Sequence, residues 1–180
     1  MTYLLDTNAL FDIMLNLNGQ KVVNCNNNIK YLNNNTVVIS EISTIEIYSV
    51  IGKYCRTSIS QQCNCGRTLI NGSRCEHIYV TKGSKKINAK VMKRIYKFTR
   101  DVLLNKNPKL KIKIININKE IIDEAYNLIQ KALNYNFGSM DAMIAATAKW
   151  YQKKYSEHVT VMTADMSLKT ALSEYGISVL

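Results

Sequence analysis

Thr2-Tyr3-Leu4-Leu5-Asp6-Thr7-Asn8 is the stretch that decides how the rest of this chain is read. Tyr3 to Leu5 has the apolar character of a buried strand. It runs directly into Asp6, and then into Ala9 to Leu17, an apolar segment of helical character closed by Asn18-Gly19. Asp6 or Thr7 is available to cap that helix. An acid placed where a strand passes into a helix lies at the carboxyl end of the strand, where open α/β sheets hold their ligands.

The same strand-then-helix pattern recurs along the chain. Gln20 to Asn35 is rich in asparagine and reads as a second, polar helix. Thr36 to Ser40 is short and β-branched, a good buried strand. Ser40 is then the expected cap of a helix from Ile42 to about Tyr54, with Ile42, Ile45, Ser49 and Gly52 at helical spacing and Glu46 one turn in. Lys85 to Leu104 reads as an amphipathic helix with Ile87, Val91, Ile95, Phe98 and Val102 on one face. Asn107-Pro108 stops it, and Leu110 to Ile117 alternates lysine with isoleucine as a strand with one wet face.

The helix expected over Lys119 to Asn134 carries Ile121, Ile122, Ala125, Leu128, Ile129 and Ala132 as its buried stripe. Ser139 is placed to cap an alanine-rich helix from Met140 to about Tyr151. His158 to Met162 is a strand leading to Thr163-Ala164-Asp165, then a helix from Ser167 to Tyr175 and a last strand from Ile177 to Leu180. Alternating strands and helices predict an α/β fold with a largely parallel sheet and helices on both faces. The chain of 180 residues reads as a single domain, 1–180.

Charge is unevenly spread. The net charge is +11, but 16 of the 24 Lys/Arg lie between Lys53 and Lys113, against only two acids, Glu76 and Asp101. The rest of the chain is mildly acidic. A positive field concentrated in this way suits a polyanion, most often nucleic acid. No apolar run is long enough to cross a membrane and no basic leader precedes Asp6, so a cytoplasmic protein with reduced cysteines is expected.

Four of the five cysteines fall in residues 55–83, which reads as an inserted subdomain. Cys55, Cys63, Cys65, Cys75 and His77 are five candidates for the four places of a structural Zn²⁺ site. Their spacing does not choose among them, because only one residue separates each close pair. Cys25 stands outside the group as a free thiol.

Asp6, Glu46, Asp141 and Asp165 all fall at or just beyond strand ends. Any one of them has an ordinary reading as a helix cap or a first-turn acid. If the strands are parallel neighbours, however, all four carboxylates reach one edge of the sheet. Carboxylates gathered in one pocket cannot all stay ionised without a cation, and hard oxygen donors select Mg²⁺ or Mn²⁺. Such a cation activates water and steadies phosphate charge.

These segments resemble a known family. Leu4-Leu5-Asp6-Thr7-Asn8-Ala9-Leu10 resembles the opening of PIN-domain nucleases, and Ile42-Ser43-Thr44-Ile45-Glu46-Ile47 resembles their second acidic motif. Ser139 to Ala148 resembles the third motif in both its acid and its alanines, and Val161-Met162-Thr163-Ala164-Asp165 resembles the fourth. The likeness covers residues 1–54 and 110–180 and is nearest to the toxin ribonucleases of toxin–antitoxin modules. It implies a three-layer α/β/α fold, Mg²⁺- or Mn²⁺-dependent hydrolysis of RNA, an antitoxin partner and a homodimer. It further implies Asp6, Glu46, Asp141 and Asp165 as metal ligands, with Asn8 and Thr163 orienting carboxylates or water. The cysteine-rich stretch has no counterpart in that pattern.

Lys86, Lys90, Lys93, Lys97 and Arg100 form one face of the basic helix and are the expected grip on the RNA backbone. Tyr54, Tyr79 and Tyr96 are interspersed among these cations, where aromatic rings can stack on unpaired bases. Two other functions use the same features: a non-catalytic nucleic-acid-binding or assembly module, and a structure-specific DNA nuclease.

Overall fold

The computed structural model describes residues 1–19, 31–32, 34–55, 59–68, 74–82, 88–130 and 138–180, with 59–68 and 74–82 described by their backbone. The polar helix expected over 20–35 lies almost wholly outside these residues, as do Cys25, Lys86, Ile87 and Ala132.

Strand β1 (Thr2–Leu5) is buried along its whole length and passes into helix α1 (Thr7–Leu17). Strand β2 (Thr36–Ser40) passes into α2 (Glu41–Tyr54). After β3 (Ile59–Thr68) and β4 (Arg74–Lys82) come α3 (Ala89–Leu103), β5 (Lys113–Ile115) and α4 (Lys119–Ile129). The chain closes with α5 (Ser139–Tyr155), β6 (Val159–Met162), α6 (Met166–Glu174) and β7 (Ser178–Val179). Five strands form one sheet in the order β5-β2-β1-β6-β7, and every pairing in it is parallel.

Alternation along the strands assigns the two cores. Tyr3, Leu5, Val37, Ile39 and Met162 face one layer with α1, α2 and α3. Leu4, Val38, Val159 and Val161 face the other with α4, α5 and α6. Central strands covered on both faces read as continuous apolar runs, which is why they are legible as strands without a wet side. The result is the three-layer α/β/α arrangement.

Several local expectations are corrected. The strand predicted over Leu110 to Ile117 forms only at Lys113–Ile115. Leu110 and Ile112 are nonetheless buried, because the irregular segment before β5 packs onto the core. The buried face of α2 is Ser43, Ile47 and Ile51, while Ile45 is 71% exposed. Ile122 on α4 is likewise outside the core at 52% exposure, with Ile121, Ala125 and Leu128 buried instead. Both misreadings arise where isoleucines occupy neighbouring positions, so that apolar spacing fits two faces.

Residues 59–68 and 74–82 form an antiparallel hairpin of their own, separate from the parallel sheet. No helix among the described residues is long and apolar enough to cross a membrane.

Candidate active site

Every strand of the parallel sheet presents its carboxyl end to the same edge, and the acids follow from that topology. Leu5 pairs with Met162 on one side and with Ile39 on the other, so Asp6, Thr163 and Ser40 come next to one another across the three central strands. The Asp6 backbone N–H donates to Met162 O at 3.0 Å and carries the pairing one residue past β1.

Asp6 is only 3% exposed. Its Oδ1 caps α1 by accepting from the backbone N–H groups of Asn8 and Ala9. Its Oδ2 accepts from the Thr163 hydroxyl. The same Thr163 oxygen accepts from the backbone N–H of Asp165 at 3.0 Å. Thr163 therefore ties the first acid to the fourth. Asp165, in turn, caps α6 through Oδ1, which accepts from Ser167 N at 2.8 Å and Leu168 N at 3.0 Å.

Glu46 reaches the edge from α2. Its Oε2 accepts from the hydroxyl of Thr7, which also lies 3.2 Å from Ser43 Oγ. Thr7 is buried, and where the sequence offers it as a helix cap the structure uses it to hold Glu46. The signal in the sequence is a hydroxyl set between Asp6 and Asn8 at a strand-to-helix junction. Ser40 is also fully buried: it shows the backbone angles of an N-cap but makes no capping bond with its side chain. Its Oγ instead accepts from Thr147 of α5 at 2.9 Å, linking that helix to the end of β2.

The expected cap of α5 moves by one residue. Gly138, not Ser139, stands at the N-cap position, and its backbone N–H donates to Asp141 Oδ2 at 2.9 Å. This is the backward half of a capping box; the forward half is missing because glycine has no side-chain acceptor. Asp141 is thereby held in the first turn of α5, at the same edge as Asp165.

The electrostatics divide the acids into two pairs. Burial, opposed by the bonds from Thr163, Asn8 and Ala9, pushes the Asp6 carboxyl above its ordinary value, and the charge of Glu46 pushes it further. Asp141 is also pushed up, mainly by burial and then by the charge of Asp165, against the bond from Gly138. Among the described residues, the charged neighbours acting on these two carboxyls are other acids. No group of three or more His, Cys, Asp or Glu side chains there is drawn closely enough together to hold a metal ion. What the edge offers is a pair, Asp6 with Glu46, and a second pair, Asp141 with Asp165.

Of the remaining candidates, Asn8 is exposed in the first turn of α1. Lys90, Lys93, Lys97 and Arg100 are all exposed on α3. Tyr54 packs edge-on against Phe11 with ring centroids 5.2 Å apart. Cys55 ends α2 and is buried in the apolar cluster with Phe11 and Ile95, where burial pushes its thiol up. A thiol kept protonated among apolar neighbours is a poor source of the thiolate that zinc requires. In the hairpin, the backbone positions of Cys63 and His77 pair directly across β3 and β4. The side chains of Cys63, Cys65, Cys75 and His77 lie outside the described residues.

A parallel α/β/α sheet with acids collected at its carboxyl edge defines a class of protein, and comparison with known families narrows it. The PIN domain matches residues 3–170, and the chain belongs to that family. PIN domains are generally nucleases. Solved structures agree in fold. The structure of VapBC2 from Rickettsia felis bound to a DNA fragment from its promoter is 18% identical, with a TM-score of 0.56 over 100% of this chain and 98% of that one. FitAcB from Neisseria gonorrhoeae is 17% identical, with a TM-score of 0.58 over 99% and 96% of the two chains. A toxin–antitoxin complex from Klebsiella pneumoniae is 18% identical, with a TM-score of 0.50 over 93% and 89%. No functionally curated protein matches the chain by sequence.

Proposed function

We propose that this protein is a metal-dependent endoribonuclease that hydrolyses phosphodiester bonds at the carboxyl edge of its sheet. The observation that carries this reading is the electrostatic state of the two acid pairs. Asp6 and Asp141 are both held above their ordinary value, first by burial and then by the charges of Glu46 and Asp165 respectively. An edge of that kind costs stability in isolation and gains from a bound cation.

The donor set fits Mg²⁺ or Mn²⁺. These ions prefer oxygen ligands, and Mg²⁺ is usually held by only one or two carboxylates, with water and substrate phosphate completing the shell. Either pair can serve on that basis, without a closed cage of protein ligands. When bound, the cation supplies activation of water and neutralisation of phosphate charge. The protein's own part is positional. Thr163 fixes Asp6 through Oδ2, Thr7 fixes Glu46, and Gly138 fixes Asp141. Asn8 is exposed beside Asp6 and is available to orient water or phosphate.

RNA rather than DNA is supported by the sequence motifs alone; action as a toxin held in check by an antitoxin is supported by those motifs and by the toxin–antitoxin complex whose fold the chain shares. A homodimer and a cytoplasmic location belong to the same reading. Structural zinc in the hairpin is a separate matter. Its support is the register that opposes Cys63 to His77, and the burial of Cys55 favours the set Cys63, Cys65, Cys75 and His77. Elemental analysis of the purified chain reads that directly.

The function is tested by incubating the protein with single-stranded RNA, matched single-stranded DNA and duplex DNA, with Mn²⁺, Mg²⁺ or EDTA. Cleavage of the RNA that requires the cation is expected. Cleavage of DNA alone would move the protein to the structure-specific DNA nucleases. Binding without any cleavage would make it a non-catalytic module.

A further inference from the structure

We infer that Tyr48 and Tyr96 form a stacking platform for an unpaired base of single-stranded nucleic acid, with Lys93, Lys97 and Arg100 holding the adjoining phosphates. The inference rests on the nuclease reading for the class of ligand, and it deepens that reading by giving the substrate strand a second point of attachment.

The two rings come from different helices. Tyr48 lies on α2 and Tyr96 on α3, and their centroids are 5.9 Å apart with planes only 13° from parallel. That is the offset-stacked arrangement of aromatic pairs. The two rings differ in support. Tyr96 rests against the core, while Tyr48 is 37% exposed and lines an open cleft. An anchored ring backing an accessible one is a suitable surface for a flat, uncharged partner.

The surroundings specify which flat partner. Tyr48, Lys93, Tyr96, Lys97 and Arg100 line an open cleft of about 460 Å³. On α3, positions 93, 96, 97 and 100 follow helical spacing, so the three cations and the ring form one continuous face. Arg100 lies 4.0 Å from Asp101, while among the described residues no carboxylate pairs with Lys93 or Lys97. An aromatic stack flanked by cations, with no acid among the described residues of the lining, matches a strand of alternating bases and phosphates. An acidic protein segment would satisfy the cations and leave the parallel rings without a purpose.

The placement relative to the acids is also suitable. Tyr48 follows Glu46 by two residues, about 200° around α2 at about 100° per residue. The two side chains therefore serve opposite flanks of one helix, about 10 Å across. A strand joining them runs around the helix, about half its circumference or roughly 16 Å, which a few nucleotides span, so a base on Tyr48 and a phosphodiester at Glu46 can belong to one molecule.

The test measures binding in EDTA, so it does not depend on catalysis. Equilibrium binding of a short single-stranded RNA is compared with binding of an abasic strand of equal length, which keeps the phosphates and lacks the bases. The wild-type protein is expected to favour the RNA. Tyr48→Leu is expected to weaken RNA binding about five-fold or more and to leave abasic binding unchanged, while Tyr48→Phe, which keeps the ring, retains the preference. If Tyr48→Leu binds RNA like wild type, or loses equal affinity for both strands, the platform is overturned and the cleft reverts to a charged or protein-binding surface. Photocrosslinking of 5-bromouridine RNA to the unaltered protein gives a reading independent of folding. Crosslinks at Tyr48 or Tyr96 are expected, and crosslinks confined to other regions would contradict the proposal. Loss of cleavage with binding intact would count against the nuclease reading and leave this one standing.

Discussion

Asp6 is asked to do three things at once: end a strand, cap a helix and keep a carboxylate at a site from which water is largely excluded. Its cap was legible from the sequence, because an acid before an apolar helical run has few other uses. Its burial was not, because it depends on β6 arriving beside β1 from more than 150 positions away; Thr163 as a group that orients a carboxylate was implied only by the family resemblance, and the structure gives Asp6 as its partner. The cost of this placement has a measurable sign. The folded, metal-free protein holds the Asp6 proton more tightly than the unfolded chain, whose group titrates near the ordinary value of 3.8. Stability therefore falls as pH rises through 3.8 toward the raised value, and above it the ionised group is a standing cost. Asn caps helices as well as Asp does, and with its oxygen on the cap its amide N–H donates to the Thr163 hydroxyl, which turns from donor to acceptor. In EDTA at pH 7, Asp6→Asn is expected to melt higher than the parent, by roughly 2–4 °C for each kcal/mol relieved. The advantage should shrink as pH falls toward 3.8 and disappear below it. Thermal unfolding followed by circular dichroism across that range checks this, and a lower melting temperature at pH 7 would contradict it.

At the scale of the element, strands were easier to read than helix faces. β1, β2 and β6 are short apolar runs with both faces covered, and no alternative register competes with that reading. In α2, by contrast, Ile42, Ile45, Ile47 and Ile51 allow two apolar faces, and packing against α1 and α3 selects the one with Ser43, Ile47 and Ile51. The choice matters for the site, because the rotation of α2 brings Glu46 to Thr7 and Tyr48 to Tyr96. Ile47→Ala is expected to cost about 2–5 kcal/mol, as for other fully buried aliphatic side chains. Ile45→Ala, at an exposed position, should stay within about 0.5 kcal/mol. Urea denaturation of the two variants separates them, and the reverse order would place the wrong face of α2 in the core. The Gly138 cap was illegible for a related reason: a serine one position later gives the same signal at the level of the sequence, and only the bond from Gly138 to Asp141 decides between them.

Across the whole molecule, the strand order β5-β2-β1-β6-β7 gathers acids that are distant in the chain, and the positive charge is concentrated in the third of the chain from Lys53 to Lys113. The acids were legible because a parallel sheet sends every strand end to one edge. The hairpin of β3 and β4 was not, because its sequence lacks the apolar alternation that marks a strand packed on a core. The exposed cations of α3 predict substrate affinity that depends strongly on salt. Replacing Lys93, Lys97 and Arg100 together by alanine is expected to weaken RNA binding and to reduce the slope of log affinity against log salt by about 2, near 0.7 for each lost phosphate contact on a single strand. An unchanged slope would show that the strand runs elsewhere. The central claim concerns the acids themselves, and the most direct measurement is Mn²⁺-dependent cleavage of single-stranded RNA by the wild-type protein beside Asp141→Asn, which keeps the shape of the side chain and removes its charge. Cleavage by the wild type that is lost in Asp141→Asn, with RNA binding in EDTA unaltered, is the predicted result; equal cleavage by the two proteins would contradict it.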